Sequence, residues 1–422
     1  MDVTTTVYAR RLAMVRRAFF TIVASALISV PAFGQWPQWG GPGRDFRANA
    51  SHLATKWPDE GPKRLWSRPL GGGFSSIALD EGRLFTMYRS GDDEIVVALS
   101  AETGKTIWEH KIAAPMIEGI DTKFGKGPNA TPTVVGDKVY TLGVTGILHG
   151  LDKKTGKVVW SHDLIKEFGA TPPEFGFSSS PIVHKKSLVA VVGGKGCGMM
   201  AFDLANGSVL WQKHDFENTY SSPIVINVDG QDQVVTLVDR EVVGLNPVDG
   251  ELLWRHEHIN QWKTNISTPV WGKDNLLFTT SGGEAGSRVL KLSRKAGKTT
   301  VKEVWAHKKA SVGQSNVIRV GDHLYGCAGH GASSFITGVH LETGETTWRE
   351  RGYRQAMMIY GDGKFIILDG EGMLSLATAT PEAFTVLSTF RLFEDKSWTI
   401  PTLDGTRLYA RDLKTITALD LG

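Results

Sequence analysis

Residues 222–254 read SPIVINVDGQDQVVTLVDREVVGLNPVDGELLW. Four runs rich in Val, Ile and Leu are separated by short turns of Asp, Asn and Gly. Runs of this length and composition at short, regular spacing are strands. The last turn, PVDGE, carries Gly250, which supplies the positive φ of a tight hairpin turn. Asn246, four residues earlier, has a side chain short enough to bond the turn backbone. Trp254 closes the unit on its fourth strand.

The same phrase recurs outward in both directions. Residues 130–160 read ATPTVVGDKVYTLGVTGILHGLDKKTGKVVW, and residues 180–211 read SPIVHKKSLVAVVGGKGCGMMAFDLANGSVLW. Asp152 and Asp203 stand where Asn246 stands. Trp66, Trp108, Trp160, Trp211, Trp254, Trp305 and Trp348 follow one another at intervals of 42, 52, 51, 43, 51 and 43 residues. Gly104, Gly156, Gly207, Gly250 and Gly344 each precede such a tryptophan by four. A period of this size marks stacked copies of one supersecondary unit. Four strands closed by a large aromatic on the outermost one make a propeller blade. The tryptophans are expected to wedge between neighbouring blades, as core rather than site.

Blades are expected over residues 74–108, 130–160, 178–211, 221–254, 266–305 and 316–348. Residues 354–392 form a seventh without the tryptophan, and residues 398–421 hold only three strands. Residues 63–70 (KRLWSRPL) are a spare outer strand with its own Trp66. Joining the spare strand to the deficient blade completes an eighth and removes the open edges. The predicted fold is therefore all-β: an eight-bladed β-propeller of four-stranded antiparallel blades, the ring closed by an N-terminal outer strand joining the C-terminal blade. It would occupy residues 63–422 as a single unit, with residues 35–62 as an extension packed on it.

Residues 1–34 read as a secretory signal. Arg10, Arg11, Arg16 and Arg17 precede an apolar run over residues 18–30, and cleavage is expected after Gly34. The run is short for a membrane span. The pair Arg16–Arg17 partly resembles a twin-arginine signal, but an ordinary general-secretory signal is favoured. The expected location is the periplasm or the exterior, with no transmembrane segment in the mature chain. The formal charge is +3 and no basic stripe occurs, which argues against a nucleic-acid partner. The two cysteines, Cys197 and Cys327, fall in non-adjacent blades, so a disulfide is not expected, and no Cys-x-x-Cys motif occurs. The glycine-rich run 193–198 (GGKGCG) is followed by a strand, not a helix, and reads as a hairpin rather than a phosphate loop. His256 and His258 alternate on an extended segment, with no third metal ligand visible.

In a propeller the loops leading into each innermost strand share one face with those joining the second and third strands. Binding sites gather there because rigid strands hold many loops around one axis. The loop 111–129 carries Glu118, Asp121 and Lys123; others bring Trp262, Asn265, Arg354 and Trp398. The second set brings Asp239, Arg240, Asp369 and Arg411. Such a mixture suits a polar ligand or a hard cation; the plainer reading is a solvated rim of charged loops.

The segments SSPIV (221–225), LHGLDKKTGKVVW (148–160) and VHLETGETTW (339–348) closely resemble the repeats of pyrroloquinoline quinone (PQQ)-like propellers. The opening 35–45, QWPQWGGPGRD, resembles the start of secreted bacterial members. The resemblance implies one of two roles. Quinoprotein alcohol dehydrogenases hold PQQ and Ca²⁺ near the axis and use an aspartate base and a stacking tryptophan. On that reading Asp121, Asp239 and Asp369 are candidate bases. Trp262, Arg240, Arg354, Trp398 and Arg411 are candidate cofactor contacts, and Glu118 and Asn265 candidate Ca²⁺ ligands. These enzymes commonly carry a disulfide between adjacent cysteines, which this chain lacks. The propeller subunit of the outer-membrane protein assembly machine keeps the repeats without cofactor and works as a scaffold; a lipid-anchoring cysteine is missing here. The expectation is a monomeric binding scaffold at the cell envelope, without cofactor, whose partner is an envelope protein or a small polar ligand. The alternative is a PQQ- and Ca²⁺-dependent alcohol or sugar dehydrogenase, which needs a ligand-sized axial cavity ringed by a carboxylate, a basic group and a stacking aromatic. A packed or wide-open channel would suit the scaffold.

Overall fold

In the third repeat the second strand, Ser187–Val191, is buried along its whole length. The outermost strand, Val209–Lys213, buries Trp211 alone. This gradient from axis to rim is what stacked sheets impose, and it explains why the outer strand needs one large aromatic to hold its neighbour. The computed structural model describes residues 35–272 and 274–422, so the expected leader lies outside the described residues. Eight four-stranded sheets form, seven of them from consecutive strands. The eighth joins Lys63–Pro69 to the last three strands, with Trp66 opposite Ala418. The fold is the expected propeller. Its only described helix besides two single 3-10 turns is Leu164–Phe168. Among the described residues no helix is long and apolar enough to cross a membrane.

The blade interfaces explain the repeated phrase. The indole N–H of Trp160 donates to Leu204 O in the next blade, as Trp108 does to Lys153 O, Trp211 to Pro247 O and Trp305 to Leu341 O. Each ring lies on the glycine of the next blade's last turn. At Gly207, φ is +74° and a Cβ would stand 2.6 Å from the Trp160 ring. The glycine thus serves the turn and the neighbouring wedge together. Asp152, Asp203 and Asn246 do bond their turn backbones. Trp254 departs from the pattern: the following blade ends in the long hairpin Ser287–Lys295/Lys298–His307, and its indole donates to Gln233 Oε1 instead. Cys197 and Cys327 are free and buried.

On the axis, hydroxyls tie innermost strands to their neighbours around half of the ring. Ser76 N donates to Thr131 Oγ1, Thr131 N to Ser180 Oγ, and Ser180 N to Ser222 Oγ. Ile400 N donates to Ser76 Oγ across the closure. This belt is the reason the blades open with Ser or Thr beside Pro.

The extension that follows residue 34 runs across the far end of the axis, visiting the blades in turn. Trp36 exchanges backbone bonds with Leu79, and Pro37 O accepts from Val134 N. Arg44 reaches Ser180 O, Pro181 O and Pro223 O. Trp39 Nε1 bonds Thr268 Oγ1, Arg47 bonds Arg319 O, Ala48 N bonds Tyr360 O, and Ala54 N bonds Leu421 O. Trp36, Arg44 and Phe46 are buried there.

Candidate functional site

With one end of the axis covered by the extension, the other opens into a cavity of about 790 Å³. Trp39 lies in its floor, beside Ser180, Ser222, Ser267 and Thr268 of the hydroxyl belt. Six of the eight loops leading into the innermost strands bring an aromatic ring to the wall: Phe74, Phe124, Phe175, Tyr220, Trp262 and Trp398. Five of these make a continuous arc. Phe74 stacks on Trp398 at 5.5 Å and Phe124 meets Trp398 at 5.8 Å. Phe124 meets Phe175 at 5.3 Å, and Phe175 meets Tyr220 at 5.9 Å. The rest of the wall sets Gly282, Gly283, Gly313 and Gly329 beside Gln314, Asn316, His330, Gln355 and Met357. Trp262 stands over it, 59% exposed, packed where a side chain at Gly283 would clash.

Two lysines dress the mouth. Lys123 Nζ lies 4.9 Å from the Phe175 ring centre and Lys396 Nζ 4.2 Å from that of Trp398. Both are cation–π contacts. Lys123 also pairs with Asp121 at 3.2 Å and Glu174 at 3.7 Å. The loop that carries Lys123 and Phe124 is pinned at its ends by Arg89, which donates to Ala114 O and Lys126 O and pairs with buried Glu94 at 3.1 Å. Burial pushes the Glu94 carboxyl up, against the pull of Val144 N and Arg89.

Below the floor, Arg44 is 3% exposed and its partners are carbonyl and amide oxygens rather than a carboxylate. Burial lowers its pKa to about 9, so it stays charged at neutral pH.

Of the residues singled out from sequence, Trp262 and Trp398 line the cavity. The rest do not. Asp121 caps the backbone of Lys123 at 2.8 Å and pairs with its ammonium, which together hold its carboxyl low. Asp369 is buried and accepts from Glu371 N and Met373 N; burial raises it. Asp239 is raised by burial and then by Glu217, outside the cavity wall. Arg411 calls for a correction: it is wholly buried among Ser75 O, Met87 O, Gly71 O and Thr86, where it closes the ring rather than facing a ligand. Asn265 is likewise spent on Val238 O, Asp239 O and Ser281. Arg354 pairs with Glu371 away from the wall, and neither Arg240 nor Glu118 lines it. His258 is buried against Ser281, whereas His256 faces Glu303, so the two rings do not converge. Phe74, Phe124 and Phe175 were missed, though they share a signal with Tyr220 and Trp262. Phe74, Phe124, Phe175, Tyr220 and Trp262 follow one another at 50, 51, 45 and 42 residues, a second aromatic period in step with the blades.

The wall can be tested against the expected alternatives. The cavity is ligand-sized, neither packed nor wide open. A polyanionic quinone with Ca²⁺ calls for several basic side chains and an oxygen cage. The ionisable groups of the wall are Lys123, Glu174 and His330. Among the described residues no three His, Cys, Asp or Glu side chains converge on a metal position. The wall thus holds the carboxylate, basic group and stacking aromatic of that alternative in Glu174, Lys123 and Trp398, but a single lysine for a polyanion and no cluster of three acidic, His or Cys side chains for a metal among the described residues.

Comparison with known proteins places the chain in a family of propellers. The family model described as outer membrane protein assembly factor BamB matches residues 58–214 and 92–350, and the chain belongs to this family. Methanol dehydrogenase [cytochrome c] subunit 1 of Methylobacterium organophilum is 43% identical over 74 residues, 16% of this chain and 11% of that enzyme. The match thus spans only a small part of its length. The crystal structure of BamB from Moraxella catarrhalis superposes with a TM-score of 0.60 at 16% identity, over 85% of this chain and 99% of that one. Quinohemoprotein alcohol dehydrogenase from Comamonas testosteroni superposes with a TM-score of 0.63 at 15% identity, over 92% and 80%. These likenesses are of fold.

Proposed function

We propose that this member of the BamB family is an envelope protein that acts by binding, holding a ligand in its axial cavity without redox chemistry. One observation carries the reading: the axis is covered below by the chain's own extension and lined above by six aromatic rings from six loops. Burying a ring system against such a wall supplies roughly 25 cal/mol per Å² of apolar surface. The wall spends its few polar groups on orientation, which is the usual division of labour in small-molecule sites. The residues 1–34 support export, and the family name supports a role at the outer membrane.

A second reading draws on the quinoprotein relatives. A quinone would stack on the arc of Trp398 and Phe124, and the cavity is large enough for one. Calorimetry with PQQ and Ca²⁺, followed by dye-linked oxidation of an alcohol panel, separates the two. The binding reading expects no stoichiometric PQQ uptake at high micromolar concentration and no turnover. Tight uptake with turnover would replace it by the dehydrogenase.

A further inference from the structure

The floor of the cavity is built from hydroxyls above a buried cation. Ser180 Oγ accepts from Thr131 N at 2.9 Å, and Ser222 Oγ accepts from Ser180 N at 2.9 Å. Thr268 Oγ1 accepts from Trp39 Nε1 at 2.8 Å, and the Tyr220 hydroxyl oxygen accepts from Phe175 N at 3.2 Å. A hydroxyl whose oxygen is engaged by an N–H still has its own hydrogen to donate. All four residues line the cavity. Each therefore has a free hydrogen to donate, as well as a remaining lone pair, on three neighbouring blades and the arc above them. Behind them lies Arg44, bonded to Ser180 O at 3.0 Å and Pro223 O at 2.8 Å, its charge unmatched by any carboxylate among its partners. A buried cation without a counter-ion is costly, and an anion brought near it offsets part of that cost.

We propose that the cavity takes a flat aromatic ligand bearing a single anionic group, carboxylate or sulfonate, seated head-down. The ring system stacks on the arc from Trp398 to Tyr220, facing the glycine-bearing wall. The anionic group accepts from the hydroxyls of Ser180, Ser222 and Thr268 in the field of Arg44. The proposal rests on the binding reading above and adds the ligand class and its orientation. The hydroxyls could serve a head of either sign, but the Arg44 charge beneath them disfavours a cationic one. A neutral head gains hydrogen bonds without the charge, and charge-assisted bonds are about twice as strong.

The test uses the purified chain and three compounds with one ring and different charge: indole-3-acetate, the alcohol tryptophol and the amine tryptamine. Calorimetry is expected to rank them in that order, the acetate roughly tenfold or more tighter than the alcohol, the size of one bond to a charged group. Ser222→Ala is expected to weaken the acetate roughly tenfold or more and the alcohol only a few-fold, narrowing the preference. Arg44→Gln should collapse the preference; because Arg44 is also structural, Ser222→Ala carries the test if that variant fails to fold. Trp398→Ala should weaken all three. Equal affinity for acid and alcohol, both lost in Trp398→Ala, overturns the anion assignment and leaves the cavity as a binding site. A preference for the acid that survives Ser222→Ala undiminished places the anion at the lysines of the mouth and also overturns it. Binding of none of the three overturns the cavity reading and the assignment with it.

Discussion

The two ends of the propeller axis use similar residues for opposite ends. At the covered end Trp36, Phe46 and Arg44 are buried and hydrogen-bonded, and the backbone around them pairs with blade after blade. At the open end Trp262 stands 59% exposed, and Trp398 and Phe124 line a space of about 790 Å³. One set of aromatics stabilises the ring and the other is left to meet a ligand. Stability and function are thus separated along a single axis, and substitutions at the two ends should differ in kind.

The largest effect is expected at the covered end. Trp36→Ala removes a side chain that is 2% exposed and should destabilise by about 3–5 kcal/mol, read from denaturant unfolding. Ligand affinity per folded molecule should change little. A comparable loss of affinity without loss of stability would break the comparison.

The next effect is a dependence on acid beneath the mouth. His258 is buried against Ser281, which in turn bonds Asn265, so this ring supports the loop that carries Trp262. Burial first, then the neighbouring Arg288 and His256, lowers its pKa from 6.5 to about 3. The unfolded chain takes up a proton between those values and the folded one does not, so stability present above pH 6.5 is lost as pH falls towards 3. The loss between pH 7 and pH 4 should be on the order of 2 kcal/mol from this group. Thermal melts of His258→Gln should show a flatter acid limb than the wild type; an identical limb would exclude the group.

At the mouth, Trp262→Ala should change stability by less than about 0.5 kcal/mol, the usual range for an exposed position, while reducing affinity for aromatic ligands several-fold. Smallest of all should be Asp121→Asn. That side chain serves Lys123 and lies outside the wall, so ligand affinity should stay within about twofold of wild type. A large loss of affinity there would return Asp121 to the list of working residues.

The repeats were legible because their causes are local. A glycine at positive φ, a short polar side chain bonding the turn and an outer-strand tryptophan all lie within one stretch such as 203–211, so spacing alone exposes them. Trp254 shows the limit: its hydrogen-bond partner changed because the neighbouring blade grew a longer hairpin. The charged loop residues misled for a related reason. Asp121, Asp369 and Arg411 are polar and lie in the right loops, yet short-range turn bonds and the closure of the ring had already claimed them.

From its amino acids alone the chain determines eight blades, their closure by the strand around Trp66 and the wedge that joins each to the next, because period and turn chemistry act over a few residues. Only the tertiary structure decides that the extension covers one end of the axis, that Arg44 lies beneath the floor and that six loops turn their rings inward. These depend on segments as far apart as Trp39 and Thr268, or Phe74 and Trp398, meeting around an axis that no single segment contains.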